Sequence, residues 1–505
     1  MARQLVVFVH GWSVTSTATY GELPARLKAE AARRGGPALD VRQIFLGEYV
    51  SFRDEVRVRD IAHAFDTALA KVIAQAGGKR RCVCITHSTG GPVVREWLDR
   101  YIVQAGKLGQ CPISHLVMLA PANFGSALAQ LGKGRVYAIK SWFDGVEPGQ
   151  GVLDWLELGS PESCALNLRW IHDYPALKLT RGKNPLFPFV LSGDAIDRKL
   201  YDHINPYTGE NGSDGVVRLA AANLNASHVV LRQPPPRAGE SVPSARKRLR
   251  ALELESTAHA APCAFRIIPG ASHSGPAMGI MNAVRNDGKP NATVDAVLRC
   301  LRVASADDYD RLCKAFAAEN AAHQQPANRL ETEHVPVLPD RRYIHDPCSM
   351  VLVRLFDSSG LRVTSVDVLL TAGPRNDPNQ LPSGFLIDRQ ANSRQHANLS
   401  LYLNHAVLDG CAAIPRPGGG IARAPITPRP PYGLHLRPLG GERFVEYWTA
   451  MLDATVQDLM PLIQPNQTTL VDVHLSRIVR EGVFGFTRQL APPQNFKDVK
   501  PGGAV

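Results

Sequence analysis

The hydrophobic pattern along the first part of the chain alternates between two signatures. Short, nearly continuous apolar runs recur at Leu5–His10, Val41–Phe45, Cys82–Ile85, Ile113–Ala120, Phe187–Gly193 and Phe265–Ile268. Runs of this length, bounded by turn residues, predict strands buried on both faces. Between them lie stretches whose apolar side chains recur three or four positions apart. Tyr20–Arg33 is one such stretch. Val58–Ile73 is clearer, with Val58, Ile61, Phe65, Leu69, Val72 and Ile73 on one helical face. Another follows Ser88 with Val93, Val94, Trp97, Leu98, Tyr101 and Ile102, and Asn282–Cys300 reads as a closing helix. Strands that alternate with helices predict an α/β fold: a mostly parallel sheet covered by helices on both faces.

Two stretches interrupt that rhythm. From Ala127 to about Leu179 the chain is long and amphipathic, with Trp142, Phe143, Leu153, Trp155, Leu156, Leu158, Trp170 and Ile171. This is too long for a simple crossover, so it reads as a helical cap at about 126–180. Periodicity does not separate a mobile lid from a cap that packs permanently. The Pro-, Arg-, Ala- and Glu-rich stretch at about 232–262 reads as a partly helical surface insertion.

Beyond residue 303 the pattern changes again. Residues 304–342 read as helical and then linking. Met350–Phe356, Val363–Leu370, Gly384–Ile387, Leu399–Leu403 and Leu470–Ile478 show strand-like alternation, with Gly- and Pro-rich turns between several of them. Arg443–Leu462 fits one helix or two strands. The expected organisation is a catalytic domain at 1–303, a helical linker at 304–342 and a β-rich, sandwich-like accessory domain at 343–505. A docking role and a packing or oligomerisation role for the last part both stay open.

Composition narrows the function classes. At 505 residues, with 44% hydrophobic and 20% charged positions, the chain is globular and too long for one ordinary core. No stretch approaches the length of a membrane span. A net charge of +11 favours anionic partners. The dense basic run Arg246–Arg250 (RKRLR) has no zinc-finger, recognition-helix or RNA-binding signature beside it, so no nucleic acid partner is expected. The nine cysteines are odd in number and scattered, and are expected as reduced core residues. The N-terminus enters a core strand at once, without a signal-peptide pattern. Synthesis in the cytoplasm is therefore expected, with any export by a signal-independent route. No metal-ligand spacing stands out, and no cofactor is expected.

The chemistry centres on RRCVCITHSTGGPVVREW, residues 80–97. An apolar strand runs into a tight turn and then an amphipathic helix, with Ser88 at the tip. Such a turn pushes the hydroxyl out at the carboxyl end of a sheet. It also aims the first helical N–H groups at whatever that hydroxyl attacks. The S-x-G string recurs at Ser213 and Ser358, but only Ser88 has this context. A glycine turn that is structural or binds phosphate is the plainer reading.

The chain resembles an α/β-hydrolase of the bacterial lipase type, close to the group with the lipase-like domain of GPI-inositol deacylases. The family pattern G-x-S-x-G stands here as T-H-S-T-G, with Thr86 in place of the first glycine. The resemblance covers the first domain. It implies that Ser88 is the nucleophile. It also implies that the His10-Gly11-Trp12 turn supplies an oxyanion donor, the Trp12 N–H, with the Thr89 N–H as the second. His10 and Gly11 would then brace that loop. Ser213-Asp214-Gly215-Val216-Val217 is similar to the acid segment of bacterial lipases, which makes Asp214 the preferred acid. Asp194 and Asp197, directly after a strand, are the alternatives. His273 sits in PGASHSGP after the last core strand and completes the order Ser…Asp…His.

The expected function is hydrolysis of lipid carboxylic esters, most of all phospholipids, through a Ser-His-Asp triad and an acyl-enzyme. Expected partners are a phospholipid substrate and a peripheral membrane contact. Antibacterial phospholipases delivered by type VI secretion systems share the catalytic pattern and an added domain. That likeness suggests a secretion-system or immunity partner. A non-catalytic scaffold on a hydrolase fold, an acyltransferase and a peptidase are the alternative functions.

Overall fold

The computed structural model describes residues 3–10, 17–46, 53–78, 80–130, 149–197, 211–333, 340–427, 430–439 and 445–479. The apolar runs become strands β1 (Gln4–His10), β2 (Leu39–Phe45), β3 (Cys82–His87), β4 (Ile113–Leu119) and β5 (Phe187–Gly193). The chain then makes an excursion through β6 (Ser227–Arg232) and β7 (Glu253–His259) before β8 (Ala264–Ile268). The first sheet has the order β2-β1-β3-β4-β5-β8, and all its strand pairs are parallel. Residues of β3 are buried on both faces, as the near-continuous apolar run requires.

Helices cover both faces. Helix α1 (Leu23–Arg33) packs on one side with α7 (Ala292–Leu301), against Val6, Phe8, Val83 and Ile85. Helices α2 (Val58–Gln75) and α3 (Gly90–Trp97) lie on the other, against Val7, Val9, Cys82 and Cys84. Between β4 and β5 come α4 (Gln150–Leu156) and α5 (Pro161–His172), the described part of the cap. Trp142 and Phe143 lie outside the described residues. Helix α6 (Val242–Arg248) falls between β6 and β7. Helix α8 (Ala306–His323) lies in the stretch expected to be a linker. It packs on the first sheet instead: Tyr309 OH donates to Pro188 O at 2.6 Å, and Asn320 Nδ2 to Phe265 O at 2.8 Å.

The second half is β-rich. Its strands are β9 (Cys348–Asp357), β10 (Val366–Ala372), β11 (Leu386–Ala391), β12 (Asn398–Asn404), β13 (Tyr432–Pro438), β14 (Ala450–Leu452) and β15 (Thr468–Leu475). Arg443–Leu462 contains short strands rather than a long helix among its described residues. A second sheet has the order β11-β12-β9-β15-β6-β7. The stretch expected as a surface insertion thus supplies β7, which pairs with β6, and β6 pairs in parallel with β15. Period-two alternation explains why the central strands β9, β12 and β15 are buried on both sides. Met350, Leu352 and Leu470 face the cluster beneath the first sheet. Val351, Val353, Val471 and Val473 face the opposite way, toward the three-stranded sheet β10-β13-β14. The protein is therefore layered: hydrolase sheet, shared apolar layer, second sheet and small third sheet. No described helix is long and apolar enough to cross a membrane.

Candidate active site

β3 ends at His87, and α3 starts at Gly90, leaving a turn of very few residues. Ser88 at its tip has a φ of 52°, a left-handed conformation that non-glycine residues rarely adopt. The following glycines make the turn sterically feasible. A Cβ at Gly91 would stand 2.7 Å from Pro121 Cβ. A Cβ at Gly90 would stand 3.4 Å from Thr86 Cβ, an ordinary contact, so Thr86 is accommodated where the resembled pattern has glycine.

Ser88 Oγ lies 3.0 Å from His273 Nε2, and His273 Nδ1 lies 2.9 Å from Asp214 Oδ2. Asp214 is fully buried. Its other carboxylate oxygen accepts the N–H groups of Val216 at 3.0 Å and Val217 at 2.7 Å. The backbone joins the two loops as well, since His273 N–H donates to Asp214 O at 2.9 Å. Of the alternative acids, Asp194 instead meets His323 Nε2 at 2.5 Å and the Gly270 N–H at 3.1 Å. Asp197 is buried, and among the described residues it is not a partner of His273.

Thr89 follows the serine as the N-cap of α3, where N–H groups and the helix dipole favour negative charge. Gly11 and Trp12, the other half of the expected oxyanion loop, lie outside the described residues. His10, just before them, is buried. It stacks on Phe45 at 4.1 Å and its Nε2 is 3.2 Å from Gln43 Oε1. Burial lowers its pKa to about 4, against the opposing hydrogen bond to Gln43, so its ring is neutral near pH 7.

One residue escaped the sequence reading. His87, the x of T-H-S-T-G, is fully enclosed and donates from Nε2 to His273 O at 3.0 Å. Burial, then the nearby His273, holds its pKa well below the usual histidine value. A neutral ring thus ties the strand before Ser88 to the loop that carries His273. Its place inside the motif was the available signal, but its direction was not readable from spacing.

The space above Ser88 is small and mostly apolar. About 30 Å³ is enclosed by residues that include Ala122, Ala129, Leu153, Leu156, Val216 and Val217. That is about the room of one water molecule. Leu153 and Leu156 come from α4, so the described cap closes directly over the serine. The cap is anchored on both sides. Buried Arg95 of α3 donates to Asn123 Oδ1 and to Asn167 Oδ1 of α5. From the second sheet, Ser393 donates its N–H and Oγ–H to Glu157 at 2.6 and 2.7 Å, and Asn398 Nδ2 donates to Gly159 O at 2.6 Å.

The parallel sheet and the serine turn at its edge define an α/β-hydrolase of the lipase and esterase type. Neither family models nor curated proteins match the chain. A solved structure of phospholipase PlaB from Legionella pneumophila does. It is 38% identical over 97% of this chain and 98% of that one, with a TM-score of 0.81. A second structure of that protein, in complex with thio-NAD, aligns over the same shares at 37% identity and a TM-score of 0.80. The chain belongs to the PlaB phospholipase family and is a carboxylic ester hydrolase of the lipase and phospholipase type.

Proposed function

We propose that the protein hydrolyses carboxylic ester bonds of phospholipids through Ser88, His273 and Asp214. The observation that carries this reading is the continuous hydrogen-bonded line Ser88–His273–Asp214, at 3.0 and 2.9 Å, at the carboxyl edge of the first sheet. His273 Nε2 removes the Ser88 proton as Oγ attacks the ester carbonyl. Asp214 accepts from Nδ1–H, fixes the tautomer and stabilises the imidazolium. The Thr89 N–H, with the Trp12 N–H as its proposed partner, stabilises the oxyanion, at about 3–4 kcal/mol per donor. Collapse expels the lysolipid alcohol, which takes the proton from His273. Water activated by the same imidazole then frees the fatty acid. The PlaB relatives, the net positive charge and the apolar cap support a phospholipid over a small soluble ester.

Lipid hydrolysis profiled by mass spectrometry, with Ser88→Ala as control, tests the reading. Fatty acid and lysolipid release lost in Ser88→Ala, together with loss of fluorophosphonate labelling, is the expected result. Release that survives Ser88→Ala removes Ser88 from the mechanism. Export by a signal-independent route, and delivery as a type VI effector countered by an immunity protein, extend this proposal through the resemblance of the catalytic pattern alone. Growth arrest on periplasmic but not cytoplasmic expression is the expected outcome. Absence of toxicity in both compartments removes that role.

A further inference from the structure

The basic run Arg246–Arg250 is not part of the serine site. It borders the open cavity of about 550 Å³ on the far side of the second half, where Arg246, Arg250, Arg437, His435 and Trp448 line the wall. The fold builds this wall deliberately from three elements. Arg246 lies on α6, and Arg250 follows its end. The backbone there is pinned to the third sheet, since Met451 N–H donates to Arg250 O at 2.7 Å and Leu252 N–H to Met451 O at 2.8 Å. On β13, Leu434 and Leu436 point into the core, so His435 and Arg437 share the outer face. Trp448 comes from the link into β14, with the Arg246 guanidinium 5.2 Å from its ring centroid.

The charges do not cancel. Among the described residues of the wall, three arginines face one acid, Glu446, for a net charge of +2. Burial, then the positive charges of Arg437 and Arg250, lowers the His435 pKa, so the ring adds no charge near neutrality. Guanidinium groups, each able to donate two hydrogen bonds at once, with an aromatic face beside them suit a phosphate oxyanion. The surroundings favour a lipid source. Val242 stands one turn before Arg246 on α6, Leu439 stands two residues after Arg437, and both are 58% exposed. Exposed apolar side chains next to arginines and a tryptophan are the composition of an interfacial contact.

We infer that this cavity is a second, non-catalytic site that holds the phosphate of a phospholipid head group and docks the enzyme on a bilayer. The choice of ligand rests on the phospholipid reading above. Arg246, Arg250 and Arg437 take the phosphate oxygens. Val242 and Leu439 enter the head-group layer, and Trp448 sits at its level.

The test is co-sedimentation of the full chain with vesicles of phosphatidylcholine and phosphatidylglycerol, in the Ser88→Ala background so that no substrate is consumed. Arg246→Gln/Arg250→Gln/Arg437→Gln should weaken binding roughly a hundredfold, at about fivefold per arginine. Thermal unfolding should be unchanged. In the chain with Ser88 intact, hydrolysis of a soluble short-chain ester should also be unchanged. Val242→Ser/Leu439→Ser, which leaves every arginine in place, should weaken vesicle binding less. Unchanged vesicle binding in the arginine variant overturns the inference. So does a site that takes inorganic phosphate or an oligonucleotide, sensitive to the same substitutions, while vesicle binding stays intact. Because sedimentation does not depend on Ser88, loss of docking in the arginine variant stands even if the catalytic assignment fails.

Discussion

The two large sheets differ in how the chain assembles them, and the difference divides the labour. The first sheet is wound from local strand–helix units, all parallel, and its carboxyl edge presents Ser88. The second is stitched from distant segments: β6 and β7 come from between Asp214 and His273, and β15 from near the end of the described chain. As a result, the segment carrying Asp214 lies between the two sheets and is gripped by the second. Tyr402 Oη lies 2.7 Å from Asn211 O and 3.0 Å from Gly212 O. Arg218 sits over the Tyr402 ring and pairs with Asp388. Thr468 Oγ1 donates to Ala220 O at 2.7 Å. The serine is therefore positioned by the hydrolase sheet, whereas the acid and the cap are positioned jointly with the β-rich half.

The largest effects should separate chemistry from support. Ser88→Ala should lower turnover by about 10⁶-fold and Asp214→Asn by about 10⁴-fold, with lipid binding retained, as steady-state and single-turnover assays would show. Tyr402→Phe removes the hydroxyl from the segment that carries Asp214 without touching Ser88, His273 or Asp214. A fall of about tenfold in kcat at constant KM is expected if the second sheet positions Asp214. An unchanged kcat would break the comparison and leave the acid to the first sheet alone. Glu157→Ala deletes the buried carboxylate that holds Ser393, and should reduce stability by about 2–4 kcal/mol in denaturant unfolding. Because the space that the described residues leave above Ser88 holds little more than a water, an acyl chain is expected to need α4 displaced. This same variant should therefore lose less activity toward long-chain lipid than its stability loss suggests.

The smallest effect concerns pH. Burial lowers the His115 pKa to about 4, against the hydrogen bond from its ring to Val303 O. The folded state thus binds this proton less readily than the unfolded chain does. Its contribution is complete above about pH 6.5 and declines as pH falls toward the folded value. The decline should reach about 2 kcal/mol near pH 5. His115→Phe should flatten that part of the stability curve, measured by urea unfolding at stepped pH.

Much of the hydrolase half was legible because its signals are local. Continuous apolar runs at Cys82–Ile85 and Phe187–Gly193 are short-range statements of burial on both faces, and both are strands. The turn at Ser88 is written in adjacent glycines. The choice among acids was not local. Asp194 and Asp197 follow an apolar strand and Asp214 precedes a short apolar run, and what separates Asp194 from Asp214 is which histidine each one meets: His323 for Asp194 and His273 for Asp214. The stretch 232–262 misled for a related reason. β7 is mostly exposed and polar, so its pattern carries no core signature, although it completes a sheet edge.

By itself, then, the amino-acid order determined the parallel α/β core and the strand-to-helix turn with its exposed hydroxyl, because hydrophobic period and glycine placement act over a few residues. Only tertiary structure decided which acid meets His273, that His87 braces it, that α8 joins the core, and that Arg437 of β13 joins Arg246 and Arg250 of the α6 segment along one cavity. Those outcomes depend on contacts between segments tens to hundreds of residues apart, whose relative placement no local pattern encodes.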